Sequence, residues 1–396
     1  MSESVAHAMT SRLRELVQME SPSADTAASA RISEVLSLRL RELGAHVEKT
    51  TTAVGTHISA HLPGDLPGTI LLLGHSDTVW DIGTLDARVP WREFDTDEGV
   101  PAIAGPGVFD MKSGLVIIET ALSRIRGTSH PTVHVVITCD EEIGSPTSTD
   151  LVTAAAREST VVLGFESPHP DGALKIGRKG STRIRLSTTG REAHAALDPD
   201  KGINAIDEII DRIVGDVRPL IQRALESHPG SVLYNLGGIS GGGRANVIPA
   251  HAEALLGLRF STPEAERDVL GQLSGLSART PGATLASTVL SQRPVWAANR
   301  ADQDLAAALG LAGRPAAGAA DTNTTGALGV PTVDGMGPAG GGAHAESEHL
   351  LVPSFVQRAD TLASFLCSPL PASLLSQTEH LDAGRPEHTE QTGHAE

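Results

Sequence analysis

The chain has 396 residues, which suggests two or three domains, and its 40% hydrophobic and 20% charged content is that of a globular protein. A formal net charge of -17, with only one Tyr, three Trp and six Phe, argues against nucleic acid, which needs clustered basic residues and stacking platforms. Two cysteines, Cys139 and Cys367, make no disulfide framework, the N-terminus lacks the apolar core of a signal peptide, and no apolar run approaches membrane-spanning length, so a cytoplasmic protein without membrane contact is expected.

Along the chain, Val5, Met9, Leu13, Leu16 and Val17 mark a first amphipathic helix. A second spans about Asp25 to Leu43, with Ile32, Val35, Leu36, Leu40 and Leu43 on one face and Gly44 as its stop. The period then changes. HISAHL alternates like a half-buried strand, whereas TILLLG, TVHVVITC and VVLGF are continuous apolar runs, as in strands covered on both faces. The helical stretches MKSGLVIIETALSRIRG and SPTSTDLVTAAARE fall between them, which predicts an α/β domain with a mostly parallel sheet. From about Gly180 the order becomes β-α-β-β-α-β, that of a ferredoxin-like unit, placed at 180–291. The α/β character returns over 292–367, with a helix in QDLAAALGL, a strand-like VPTVDGM and a closing amphipathic helix FVQRADTLASFLC. The catalytic domain is therefore discontinuous, 1–179 with 292–367, and the aperiodic tail 368–396 is expected to be disordered.

Three potential ligand groups follow buried strands: His75 with Asp77 after TILLLG, Asp140, Glu141 and Glu142 after TVHVVITC, and Glu166 after VVLGF. Open α/β sheets bind ligands outside the carboxyl ends of their strands, so the fold gathers these groups at one edge. Asp110 joins them at a helix start, where negative charge is favoured. Imidazole with carboxylate suits zinc or another borderline divalent ion. Asp77, two residues beyond His75 in an extended segment, points the same way and can accept its second ring N–H. Neighbouring side chains diverge, so Glu142 serves as ligand and Glu141 as the general base. Taken singly, an HxD triplet, a DEE run or a lone Glu is more often solvated surface; their joint placement, with Gly105, Gly107 and Gly114 around Asp110, reverses that. His57, His61, His130, His134, His228 and His251 lie on strands or loops without a partner motif, His349 is expected to start solvated surface, and Cys139 is expected to be a buried strand residue without a histidine base.

The stretches GHSDTV, GPGVFDMKSG, TCDEEIGS, GFESP, GREAHAALDPDKGINAI, ANVIP, ALLGLRF and PAGGGAHAESE together resemble the aminoacylase and glutamate carboxypeptidase family of co-catalytic zinc peptidases, which includes acetylornithine and succinyl-diaminopimelate deacylases. They run in the family's order over nearly the whole chain except the tail. The resemblance implies two divalent ions, zinc first and cobalt or manganese as alternatives, with His75, Asp110 and Glu166 on one, Asp110, Glu142 and His344 on the other, and Asp110 bridging. It implies Glu141 as base, Asp77 behind His75, and a cis peptide after Asp110, although Met111 stands where the family often has a second Asp. It makes the insert a lid and dimerisation surface. His194 would stabilise the oxyanion in the partner subunit's site, and Asn246 and Arg259 would bind substrate, Arg259 gripping a free carboxylate. Gly340, Gly341 and Gly342 would let backbone approach the substrate before His344.

The reading is a metal-dependent hydrolase of an amide bond next to a free-carboxylate amino acid, in a small molecule or short peptide, closest to the glutamate carboxypeptidases. An N-acyl amino acid deacylase is the alternative within the class. A metal-binding protein without turnover would have no use for Glu141. An oxidoreductase is disfavoured because Gly105 and Gly107 give only a fragment of GxGxxG that does not directly follow a predicted strand.

Overall fold

The three continuous apolar runs lie side by side in one sheet of the computed structural model, which describes residues 3–376. The strands Leu66–His75, Pro131–Thr138 and Val161–Gly164 pair in parallel, and Thr332–Val333 extends them at one edge. Thr56–Leu62 and His46–Thr51 close the other edge antiparallel. Ile70, Leu72, Val133, Val135, Val161 and Leu163 enter the main core, whereas Leu71, Leu73, Val136 and Val162 enter a second cluster on the opposite face. Burial on both faces is why these runs do not alternate.

Helices Glu3–Gln18, Thr26–Glu42, Ser113–Arg124 and Val352–Leu366 all contribute to the main core, and Thr149–Arg157 covers the second. The second helix begins where the sequence places it, because the Asp25 carboxylate accepts the Ala28 N–H. Residues 368–376, assigned above to the disordered tail, are instead ordered: Leu370 and Leu374 are buried in the main core. Residues 377–396 lie outside the described residues.

The strands from Gly180 onward form a separate four-stranded antiparallel sheet in the order Val232–Gly241, His251–Phe260, Gly180–Thr189, Thr284–Arg293. The last strand runs two residues beyond the expected limit of 291. One face packs on the helices Ala205–Arg212, Arg218–Ser227 and Pro263–Ser274 in its own apolar cluster. A π-helical segment, Ile213–Val217, precedes Pro219, which has no N–H to donate. The chain enters and leaves this unit at adjacent points, where Arg178 and Trp296 exchange backbone hydrogen bonds of 2.9 and 3.1 Å.

A small sheet escapes the sequence reading. Arg92–Asp95, Pro101–Ala104, His349–Leu351 and Gly340–Gly341 pair in it, each too short to show a period. His349 is thus the first residue of a strand rather than the start of solvated surface.

Candidate active site

His75 ends the strand Leu66–His75, and its Nε2 lies 3.2 Å from Asp110 Oδ1 and 3.2 Å from Glu166 Oε1. His344 Nε2 lies 3.2 Å from Asp110 Oδ2 and 3.2 Å from Glu142 Oε2. Asp110 therefore offers one oxygen to each of two mirror-like groups. For ligands about 2.0–2.1 Å from a tetrahedral ion, neighbouring donor atoms stand roughly 3.3 Å apart, which these spacings match. Among the described residues Glu142 Oε1 is buried without a hydrogen-bond partner, a further sign that this carboxylate faces a cation. The donor set fits a pair of divalent metal ions.

Each of these donor residues has a local reason to be where it is. Asp110 sits on a turn begun by Gly107, whose φ of 74° favours glycine and where a Cβ would meet Thr78 Cγ2 at 2.7 Å. The Asp110–Met111 peptide is cis. Met111 fills space left by Gly74 and Gly114, either of which as alanine would bring a Cβ within 2.6 Å of Met111 Cε, and its Sδ accepts the His75 N–H at 3.2 Å. Glu141 and Glu142 form a 3-10 turn whose N–H groups donate to the Asp77 carboxylate at 3.3 and 3.2 Å. Asp140, the first of the acidic triplet, turns away and accepts from Thr147 and Ser148. The Glu166 N–H donates to Asp334 at 3.1 Å. His344 has a φ of 61°, an uncommon conformation for a residue with a side chain.

Asp77 acts somewhat differently from the sequence expectation. His75 Nδ1 is 2.9 Å from the Asp77 carbonyl oxygen and 3.4 Å from its carboxylate. The carboxylate is drawn instead to Ser23 Oγ, at 2.6 Å, and to the two glutamate N–H groups. Asp77 thus orients the histidine through its backbone and the Glu141–Glu142 turn through its side chain.

Glu141 is buried, places an oxygen within 4.8 Å of donor atoms of His75 and Glu166, and pairs with Arg293 Nη2 at 2.9 Å. Burial pushes its carboxyl well above the ordinary range, against the opposing pull of Arg293 and His75. His75 is raised well above the usual imidazole range: Asp110, Asp77 and Glu166 outweigh its burial. His344 is raised to about 10, first by Asp110 and then by Glu142. Burial would raise the Asp110 carboxyl, but hydrogen bonds from His344 and His75 leave it below its ordinary value.

Arg259 and Arg293 line a cleft of about 650 Å³ that reaches Glu142. His194 and Asn246 are exposed and sit together on the ribbon that pairs Ala193–His194 with Val247–Ile248; among the described residues neither has a hydrogen bond or ion pair to the carboxylate cluster of its own chain. Gly340 and Gly342 are required by the chain's own crowding: Cβ atoms there would meet the His349 carbonyl at 2.1 Å and Ser347 at 2.6 Å. Gly341 meets only the His349 ring, at 3.4 Å.

Three supporting groups were not singled out from the sequence. The Glu348 carboxylate accepts from the backbone N–H groups of Gly107, Phe109 and Asp110 and from Trp80 Nε1, at 2.7–3.1 Å. Arg293 reaches Glu141 and Asp321 from the inserted sheet. Asp334 joins Arg178, at 2.6 Å, to the Glu166 N–H. A charged residue in a loop carries no sign that it will be buried. Cys139 also differs from expectation, since His57 Nδ1 lies 3.4 Å from its Sγ; burial nevertheless pushes the thiol up to about 12, so it stays protonated and inert.

Residues 71–368 match the model of peptidase family M20/M25/M40. The chain belongs to this family. As an M20 member it is a metal-dependent hydrolase. It is 27% identical to carboxypeptidase G2 of Pseudomonas sp. (strain RS-16), over 92% of this chain and 90% of that protein. It is 29% identical to the acetylornithine deacetylase of Vibrio parahaemolyticus, over 64% of this chain and 68% of that protein. Its fold is that of an M20 family metallo-carboxypeptidase from Sulfolobus solfataricus, with a TM-score of 0.63, 17% identity, and coverage of 93% of this chain and 99% of the other. Among the described residues of this M20 protein, no helix is long and apolar enough to cross a membrane.

Proposed function

We propose that the protein hydrolyses an amide bond next to an amino acid with a free carboxylate, in the manner of a glutamate carboxypeptidase. His75, Asp110 and Glu166 would hold one divalent ion, and Asp110, Glu142 and His344 the other, with zinc the expected metal. The observation that carries this is Asp110, whose two oxygens each face a different histidine at 3.2 Å. Ions bound there would supply Lewis-acid polarisation of the scissile carbonyl and an acidified water. Glu141 takes the proton from the attacking water and returns it to the departing nitrogen. Arg293 and the Glu141–Glu142 turn hold that carboxylate in place. Arg259 grips the substrate carboxylate as a fork. The likeness to carboxypeptidase G2 along nearly the whole chain supports an exopeptidase; the likeness to an acetylornithine deacetylase keeps N-acyl amino acid deacylation as the second reading. Zinc-loaded protein assayed on acyl-glutamates, dipeptides with C-terminal glutamate and N-acetyl amino acids separates the two, and hydrolysis of none of them overturns both.

His194 supports a dimer in which each subunit serves the other. Its Nδ1 accepts the N–H groups of Ala196 and Leu197 at 3.2 and 3.1 Å, so the neutral ring carries its proton on Nε2, ready to donate to an oxyanion. Ile210, Val214 and Ile239 are exposed apolar residues on the same inserted unit and suit its contact surface. Light scattering should give a dimer, and Val214→Glu should give monomers with sharply reduced turnover; fully active monomers would exclude a partner's histidine.

Metal loading should also release protons. In the metal-free protein His344, raised to about 10, is charged at neutral pH, a state held below that value and lost as pH rises through it, and Asp110, Asp77 and Glu166 push His75 in the same direction against its burial. Zinc ligation needs neutral imidazole. Calorimetric titration at pH 7 in buffers of different ionisation enthalpy should therefore show proton release with two ions bound per chain, and His344→Ala should bind one. No proton release, or a single ion in the unaltered protein, would contradict the assignment.

A further inference from the structure

The outer face of the inserted sheet, turned toward the cleft, carries a grid of side chains fixed by strand register. One row reads Leu233, Arg259, Ser181, Arg293, and the next reads Asn235, Gly257, Arg183, Ser291. All eight line the cleft that reaches Glu142. Arg183 and Arg259 are thus diagonal neighbours on adjacent strands, within reach of one another for long side chains. The position directly opposite Arg183 is Gly257, which leaves a low floor between the two guanidinium groups.

The arginines on this face differ in what neutralises them. Arg293 pairs with Glu141 and Asp321. Arg185, the next outward residue on the same strand as Arg183, pairs with Glu253 at 3.6 Å. Among the described residues neither Arg183 nor Arg259 forms an ion pair. Arg183 is nevertheless aimed: Nη2 donates to the Ile143 carbonyl at 2.5 Å and Nε to Ser291 Oγ at 2.9 Å, while Nη1 has no partner among the described residues. Gly144 clears the approach, since a Cβ there would stand 3.1 Å from Arg183 Nη2. Burial and the charges of Arg293 and Arg183 lower the Arg259 guanidinium from its ordinary value, so the cleft calls for anions.

We infer that Arg183 is a specificity-determining residue that binds a second carboxylate of the substrate, so that the site selects an acidic amino acid over its neutral isostere. This rests on the proposed amide hydrolysis, in which Arg259 takes the α-carboxylate. Two unneutralised guanidinium groups across a glycine floor match two carboxylates on one amino acid. Glutamate is preferred to glutamine because the amide leaves a cation in the cleft uncompensated.

The test uses the zinc-loaded full chain with benzoyl-L-glutamate and benzoyl-L-glutamine, which report on peptidase and deacylase readings alike. The unaltered enzyme should prefer the glutamate compound by about 10- to 100-fold in kcat/KM, and Arg183→Gln should bring that ratio close to one, chiefly through KM. Arg183→Lys should restore part of the preference, and Arg259→Gln should depress both substrates. Equal losses on both substrates in Arg183→Gln would make Arg183 only a strut between the sheet and Ile143 and would overturn the inference, as would an unaltered enzyme without preference. If neither compound is cleaved, the amide-hydrolase reading fails on its own. Calorimetric binding of free L-glutamate and L-glutamine then decides: a glutamate preference abolished by Arg183→Gln sustains the role of Arg183, and equal binding ends it.

Discussion

Glu141→Gln is expected to lower kcat by about 10²- to 10⁴-fold while leaving two ions bound per chain. The amide keeps the shape of the carboxylate but can neither take a proton from water nor hand one to a leaving nitrogen. The surrounding geometry favours this residue over Glu142 as the proposed base. Glu142 lies 3.2 Å from His344, in the place of a ligand. Glu141 is held off by Arg293 at 2.9 Å and is anchored through its N–H to Asp77. Burial already pushes its carboxyl upward, against the opposing pull of Arg293 and His75. Metal content by elemental analysis and kcat on the same preparation decide the matter. A Glu141→Gln protein that keeps turnover within about tenfold would move the proton transfer elsewhere.

The largest loss of stability is expected at Glu348. Its buried carboxylate satisfies four donors at once: three backbone N–H groups on the Asp110 turn and the Trp80 indole. Glu348→Ala strands them. Each buried donor left unpaired costs about 1–3 kcal/mol, and with some rehydration of the site the total should reach about 3–5 kcal/mol. The urea midpoint of the metal-free protein should fall accordingly at constant slope. Zinc affinity should drop by about 10- to 100-fold in the same variant, because the carboxylate shared between the two histidines sits on the turn that Glu348 holds. Glu348→Gln should lose less, since its amide oxygen still accepts. An alanine variant as stable as the parent would show that the turn is held by other means.

The parts of this molecule that were readable in the sequence are those where one physical rule acts over many residues. Apolar runs covered on both faces gave the central sheet, 3.6-residue periodicity gave the long helices, and the rule that ligands collect beyond the carboxyl ends of parallel strands gathered His75, Glu142 and Glu166. Resemblance to a family added His344, whose Gly-rich loop has no periodicity to read. What stayed hidden depends on single long-range contacts. Glu348 reads as one more acidic residue in a polar loop until the small sheet folds it beneath Asp110. Arg293 lies at the end of a strand that the apolar pattern stops two residues early. His57 and Cys139 are distant in sequence and meet only because their strands are laid side by side. The segment 368–376 was assigned to the tail on composition, yet two leucines four residues apart were enough to dock it.

The crossing of the two connections at Arg178 and Trp296 has an evolutionary consequence. Because the chain departs and returns at neighbouring points, the whole stretch between them is a cassette whose removal leaves ends that already touch. Arg183, Arg259 and His194 ride on that cassette together with Arg293, which pairs with Glu141, whereas His75, Asp110, Glu141, Glu142, Glu166 and His344 stay on the host. A chimera carrying the cassette of a relative that keeps an arginine at the place of Arg293 should inherit that relative's preference for one leaving group over another while the host's histidines and carboxylates stay unchanged, and so a single scaffold can diversify by exchanging one segment.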